Sequence, residues 1–175
     1  MKQKLFTSIG LMSGTSMDGV DISIIQSDGQ YEFHNILDEY FEYDADLQAE
    51  LIRLRNLLLN QNDLLKNSEE LVNLERKITV FHAEKINHIL LEYKNEIDLI
   101  GFHGQTIFHN PQKKITKQLG DGNLLSQLLK KKVVYDFRQK DIENGGGQGA
   151  PLTPIFHYLL SNICLLYTSP SPRDT

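Results

Sequence analysis

The sequence predicts an α/β lobe in which a three-strand antiparallel meander precedes helices and buried parallel strands. Three observations carry that reading. Two β-rich apolar runs, Phe6 to Met12 and Val20 to Ile25, flank a turn of small and polar residues. Leucine and isoleucine then recur at spacings of three and four across 47–58 and 71–89, the period of a half-buried helix. Short apolar runs at 97–102 and 133–135 each follow a helical stretch and end on polar residues, as strands of a doubly layered fold do.

In the first hairpin Val20, Ile22 and Ile24 share one face at period two. The turn between the runs, Ser13 to Gly19, offers glycines for close backbone approach, the hydroxyls of Thr15 and Ser16, and the carboxylate of Asp18. Such a tip suits a phosphate, and Asp18 is a candidate ligand for Mg²⁺. A polar hairpin that binds nothing fits the same residues equally well. Asp28-Gly29 marks the next turn, and Tyr31 to Tyr43 returns as the third strand.

Asp44 is placed to cap a helix whose Leu47, Leu51, Leu54, Leu57 and Leu58 face the core. A longer helix starts after Asn67-Ser68, with Glu69 and Glu70 in its first turn and a buried stripe of Leu71, Leu74, Ile78, Phe81, Ile89 and Tyr93. His82 and His88 are six apart, fall on different faces, and are expected at the surface rather than as metal ligands. Ile97 to Phe102 reads as a buried strand ending at His103-Gly104-Gln105-Thr106, and Ile107 to His109 as another strand up to Pro111. Lys117 to Leu119 forms a strand before the turn Gly120 to Asn123. A helix through Leu124, Leu125, Leu128 and Leu129 then ends in lysines 130–132. Val133 to Tyr135 is a buried strand with Asp136, Phe137 and Arg138 at its end. Asp141 to Gly149 is a glycine-rich loop, Ala150-Pro151 opens a last helix, and Ser169 to Thr175 is a Pro/Ser-rich tail.

A length of 175 residues fits one domain, or one domain and part of a second. The net charge of −5 leaves no basic footprint for nucleic acid, which argues against that partner. No apolar run approaches the roughly 18 residues that span a bilayer, and no signal-like core precedes Ser13. No membrane partner is therefore expected, and the cytoplasm is the expected compartment. Cys164 is the only cysteine, which excludes a disulfide or a cysteine metal cluster within the chain.

Familiar nucleotide and metal motifs are absent. There is no Gly-Lys pair for a P-loop, Gly145, Gly147 and Gly149 repeat at the wrong spacing for a dinucleotide fingerprint, and H-E-x-x-H does not occur. Gly14-Thr15-Ser16-Met17 resembles the nucleophile segment of subtilisin-like peptidases. Asp18-Gly19 and a strand follow it here, however, and no upstream Asp and His complete a triad. Three polar clusters remain, at 13–21, 103–106 and 136–148, and strand ends on the carboxyl side would bring them to one cleft. With its glycines, carboxylates and Arg138, that cleft suits a phosphorylated ligand.

The run SGTSMDGVD, followed in order by GFHGQT, QLGDGN, DFRQKD and GGQGAPL, resembles the 1,6-anhydro-N-acetylmuramic acid kinase family over residues 5–160. The resemblance implies a ribonuclease H-like lobe of the two-lobed sugar kinase, heat-shock chaperone and actin fold, with ATP and sugar between the lobes. It implies an N-terminal kinase lobe over 1–160, a missing second lobe, and a tail over 161–175 foreign to the family, expected to be a truncation or assembly artefact. The implied chemistry is cell-wall amino-sugar recycling: water opens the anhydro ring while O6 takes the γ-phosphate, giving N-acetylmuramic acid 6-phosphate. By the same resemblance Gly14, Thr15, Ser16, Met17, Asp18, Gly19, Val20 and Asp21 hold the ATP phosphates, and Asp18 holds Mg²⁺ through water. His103, Gln105, Thr106, Arg138 and Asp141 face the sugar. The aspartate that activates water falls beyond the chain end, so the chain is expected to be an inactive fragment, with a stand-alone phosphate- or sugar-binding module as the alternative. A homodimer is compatible at full length. Two departures stand out: Gln139 and Lys140 occupy places where the family usually has arginines, and the loop 144–147 is one residue longer.

Overall fold

Alternation of apolar and polar residues builds the meander as read. Strand β1 (Phe6–Ser13) pairs antiparallel with β2 (Gly19–Ser27), which pairs antiparallel with β3 (Phe33–Glu42). Val20, Ile22 and Ile24 are fully buried on one face of β2. The computed structural model describes residues 4–143 and residue 149. The expectations for residues 144–148, the helix opened by Ala150-Pro151 and the tail all lie outside the described residues.

Asp44 caps α1 (Ala45–Leu57) by accepting the Leu47 amide at 2.8 Å, and Leu47, Leu51 and Leu54 are buried. Helix α2 (Gln61–Lys66) follows, then α3 (Ser68–Glu92). The chain next forms β4 (Leu99–Asn110), a 3-10 turn at Pro111–Lys113, β5 (Ile115–Leu119), α4 (Gly122–Leu129), β6 (Val133–Tyr135) and α5 (Phe137–Glu143). The six strands of the described residues make one mixed sheet in the order β3-β2-β1-β4-β5, with β6 parallel to the first half of β4. The expected α/β lobe is therefore present: an antiparallel meander, then parallel strands β1, β4 and β6 with helices between them. Among the described residues no helix is long and apolar enough to cross a membrane.

Two apolar clusters hold the lobe together. One packs Ile9, Ile22, Ile24, Ile86 and Ile100 between the sheet, α3 and α4. The other packs Leu51, Leu54, Leu74, Ile78 and Leu119 where α1 and the first half of α3 meet the sheet, and it also takes in Met17 from the β1–β2 turn.

The structure departs from the sequence reading in six places. Leu57 is 47% exposed, because α1 ends there and Leu58 turns under instead. Helix α2 was not anticipated; a capping box between Asn60 and Asp63 starts it, with Asp63 accepting the Asn60 amide at 3.0 Å. Strand β4 does not end at His103 but runs on through a bulge at 103–104, where its register with β1 shifts. Gly104 makes the bulge possible: its φ is 71°, and a Cβ there would sit 2.5 Å from the Leu119 carbonyl oxygen. Strand β6 lies at an edge with Val134 and Tyr135 partly exposed, and Asp141 lies in α5 rather than in a loop. His82, finally, is fully buried. It stands four residues after Ile78 and four before Ile86, so helical geometry places it on the buried stripe itself.

Burial decides the charge of His82. Its Nδ1 lies 2.7 Å from the Ile78 carbonyl oxygen, which only accepts, so Nδ1 carries the proton and Nε2 is left as an acceptor 3.4 Å from Ser13 Oγ. Desolvation pulls its pKa from 6.5 down to about 4. The unfolded chain therefore binds this proton before the folded one does, and stability is full above pH 6.5 and lost as pH falls toward 4. Chemical denaturation between pH 7 and 4 should show this chain losing on the order of 3 kcal/mol more than a His82→Leu variant. Parallel stability curves for the two proteins would refute the assignment.

Candidate functional site

Register places the polar clusters at one end of the sheet. Ser13, the last residue of β1, lies opposite Gln105, while Phe102 pairs with Tyr135 at the end of β6. The 13–19 turn, the β4 bulge and the start of α5 therefore sit together beyond the carboxyl ends of the parallel strands, where open α/β sheets bind ligands.

The turn is held from within. The Met17 amide donates to the Gly14 carbonyl at 3.3 Å, and the Tyr43 amide donates to the Asp18 carbonyl at 2.8 Å. Met17 adopts a left-handed backbone with φ of 58°, and its side chain is 1% exposed in the second core. Met17 and Val20 therefore turn their side chains inward and offer only backbone to a ligand, whereas Thr15, Ser16, Asp18 and Asp21 are exposed. Gly19 is walled in. A Cβ there would strike the Phe41 carbonyl oxygen and lie 2.7 Å from the Tyr40 ring.

Asp18 is the exposed carboxylate of the turn. The Ser16 hydroxyl donates to its Oδ1 at 2.6 Å. That bond first of all, with further help from backbone amides and the Tyr40 phenol, lowers its pKa and keeps it ionised at neutral pH. Tyr40 was not singled out from the sequence, because on an alternating strand it reads as an ordinary outward aromatic. From the helix side, Arg55 Nη1 reaches the Thr15 carbonyl oxygen at 3.4 Å.

The five residues assigned to the sugar separate into four settings. His103 lines a cleft of about 390 Å³ with Glu75, Lys117, Asp121, Asp136 and Gln139. Thr106 lines another, of about 310 Å³, with Thr15, Arg55 and His109. Gln105 is fully buried, and its amide Nε2 donates to the Gly14 carbonyl at 2.8 Å, so its side chain is spent on the turn rather than offered to a cleft. Arg138 and Asp141 lie on α5 and hold residue 149: Arg138 Nη1 donates to the Gly149 carbonyl at 2.8 Å, and the Gly149 amide donates to Asp141 Oδ2 at 2.9 Å.

Arg138 also sets the state of His103. Its Nε donates to His103 Nε2 at 2.7 Å, and His103 Nδ1 lies 2.6 Å from the Gly104 carbonyl oxygen. Both contacts agree on one tautomer, with the proton on Nδ1. Burial lowers the His103 pKa, and the Arg138 charge lowers it further. Glu75 is a further residue that motif reasoning passed over: it accepts from Lys117 Nζ at 2.8 Å and from the Gly120 amide at 3.2 Å. Its place on α3, far in sequence from every motif, left no signal.

Comparison with known sequences identifies the family. Residues 6–163 match the family described as anhydro-N-acetylmuramic acid kinase. The anhydro-N-acetylmuramic acid kinase of Pelagibacter ubique (strain HTCC1062) is 59% identical over 160 residues, covering 91% of this chain and 42% of that protein. Those of Agrobacterium fabrum and Rhizobium etli are 40% and 39% identical over 158 residues, each covering 89% of this chain and 42% of the relative. The chain thus spans about two fifths of the length of the curated relatives it matches.

Two outcomes follow from the geometry. Gly19→Ala should cost roughly 1–3 kcal/mol of stability from overpacking, while Gly10→Ala, which meets nothing within 4 Å, should be near neutral in the same denaturation series. Arg138→Met should raise the His103 pKa in an NMR titration, since it removes a neighbouring positive charge; an unchanged or lower value would contradict the contact.

Proposed function

We propose that this chain, which belongs to the anhydro-N-acetylmuramic acid kinase family, forms the phosphate-holding lobe of an ATP-dependent phosphotransferase acting on 1,6-anhydro-N-acetylmuramic acid. The observation that carries the reading is the exposed small-residue turn at the carboxyl end of β1, pinned by Met17 and lying at the same sheet end as His103 and Arg138.

The donor set fits a nucleotide with Mg²⁺. Thr15 and Ser16 are exposed hydroxyl residues at the tip, and Asp18 presents a hard, ionised oxygen ligand. Mg²⁺ typically joins a protein through one or two carboxylates and substrate phosphates, so a single exposed aspartate suffices. ATP would supply the transferred phosphoryl group and Mg²⁺ the neutralisation of its charge. The chain's own contribution would be positioning: uncommitted amides and the hydroxyls of the turn would hold phosphate oxygens, and Asp18 would hold the ion through water. His103, neutral with its proton on Nδ1, lies with Asp136 and Gln139 in the cleft assigned to the sugar, and Thr106 faces the neighbouring one. The overall change consumes the anhydro-sugar, ATP and water and yields N-acetylmuramic acid 6-phosphate and ADP: the C1–O6 bond and the bond from the γ-phosphorus to the ADP oxygen break, while the water oxygen bonds to C1 and O6 bonds to phosphorus.

This chain completed with the C-terminal remainder of the Pelagibacter relative provides the test. Given ATP, Mg²⁺ and the anhydro-sugar it should form the 6-phosphate, and Asp18→Ala should lower turnover by roughly 100-fold or more. A completed, folded protein that makes no product, or an Asp18→Ala variant of full activity, would defeat the reading.

A further inference from the structure

Beneath the turn lies a buried polar cluster that neither apolar packing nor the sugar assignment accounts for. Ser13 is 2% exposed, Tyr43 6%, and His82 and Gln105 are fully buried. They come from four separate places: the end of β1, the residue after β3, the middle of α3 and the β4 bulge. Their hydrogen bonds form one connected series. His82 Nδ1 donates to the Ile78 carbonyl, which leaves Nε2 to accept from the Ser13 hydroxyl at 3.4 Å. Ser13 Oγ, its proton so committed, accepts from the Tyr43 phenol at 3.0 Å. The single phenol proton is shared, its longer branch reaching Gln105 Oε1 at 3.5 Å, and Gln105 Nε2 ends the series by donating to the Gly14 carbonyl at 2.8 Å.

Four polar side chains in a core carry a desolvation cost that leucine or phenylalanine would avoid, and hydrogen bonding roughly offsets it at best. What such a network adds is a single arrangement of the elements it joins. Here the series joins two carbonyls, that of Ile78 in α3 and that of Gly14, which also accepts the Met17 amide. Burial keeps both titratable members neutral at physiological pH, with Tyr43 raised to about 12 and His82 lowered to about 4. The series is thus a fixed set of donors and acceptors.

We propose that Gln105, oriented by Tyr43, Ser13 and His82, is a positioning residue that locks the Gly14–Met17 turn in its phosphate-receiving shape. The assignment to phosphate rests on the function proposed above; the locking itself does not. An amide side chain is suited to it, because its carbonyl end takes the phenol while its N–H end holds the turn. Leucine matches its size and can do neither.

Residue-resolved amide exchange by NMR on the 175-residue chain tests this without nucleotide. Gln105→Leu should speed exchange of the Met17 amide on the order of tenfold, leaving the β1–β2 ladder amides of Ile9, Ile22 and Ile24 within about twofold. Tyr43→Phe, which removes one hydroxyl, should do the same more weakly, and it carries the test if Gln105→Leu does not fold. Unchanged Met17 exchange, equal acceleration across the whole sheet, or loss of the fold in both variants would each overturn the proposal. In the completed enzyme, Gln105→Leu should raise the KM for ATP more than it lowers kcat. A completed wild-type protein that binds no ATP would defeat the proposed function while leaving the exchange result standing.

Discussion

A left-handed methionine, buried, is the constraint on which the site's geometry depends. Met17 adopts a backbone conformation that costs an ordinary L-residue roughly 1–2 kcal/mol, and it keeps that conformation because its side chain fills the core beneath α1 and α3. A buried methionine recovers on the order of 1.5–3 kcal/mol from burial, enough to hold the strain. The result is a turn fastened by its hydrophobic residue and open along its polar ones. Tyr43 closes it further through the Asp18 carbonyl, tying the turn to the end of β3. A ligand reaching the tip therefore meets a preformed surface rather than a loop it has to order.

The β4 bulge does the complementary task on the neighbouring strand. Along an unbroken strand His103 and Gln105 would point to the same face. The register shift around Gly104 separates them, so that Gln105 turns into the core under the hairpin while His103 faces a cleft. One irregularity thus serves both the support and the surface of the site. It works only with glycine at 104, where the Leu119 carbonyl leaves no room for a side chain.

Features governed by local periodicity were legible in the sequence. The meander, the Asp44 cap and the apolar stripe of α3 follow from residues close together in the chain. Features set by distant partners were not. The spacing of His82 from Ile78 puts it on the stripe, but what makes a histidine acceptable there is Ser13, sixty-nine residues away. The polar residues 103–106 read as a strand end in sequence, because the bulge that accommodates them within β4 depends on β1 and β5. Helix α2 is six residues with no buried side chain, held by its cap, and hydrophobic periodicity cannot find such an element. The shared sheet end of the polar clusters was legible, since strand polarity alone dictates it. The division of His103, Gln105 and Thr106 among separate settings was not.

The charge distribution bears on how such a site would hold a phosphate. Among the described residues, three cations at the clusters are already engaged, while Lys140 on α5 is exposed. Arg138 donates to His103 and to the Gly149 carbonyl, Lys117 pairs with Glu75, and Arg55 reaches only a backbone oxygen of the turn. Desolvation lowers the Arg138 pKa, a sign that its guanidinium is enclosed rather than aimed into open solvent. On a chain with net charge −5, attraction for a polyanion would then come from oriented backbone amides and from a divalent ion brought with the nucleotide. Amide dipoles act only at short range and only when correctly aimed, unlike a lysine on a flexible stem. That ties affinity to the shape of the turn. It gives the buried side of the hairpin, where Met17 and Gln105 act, as much weight as the exposed side the ligand would touch.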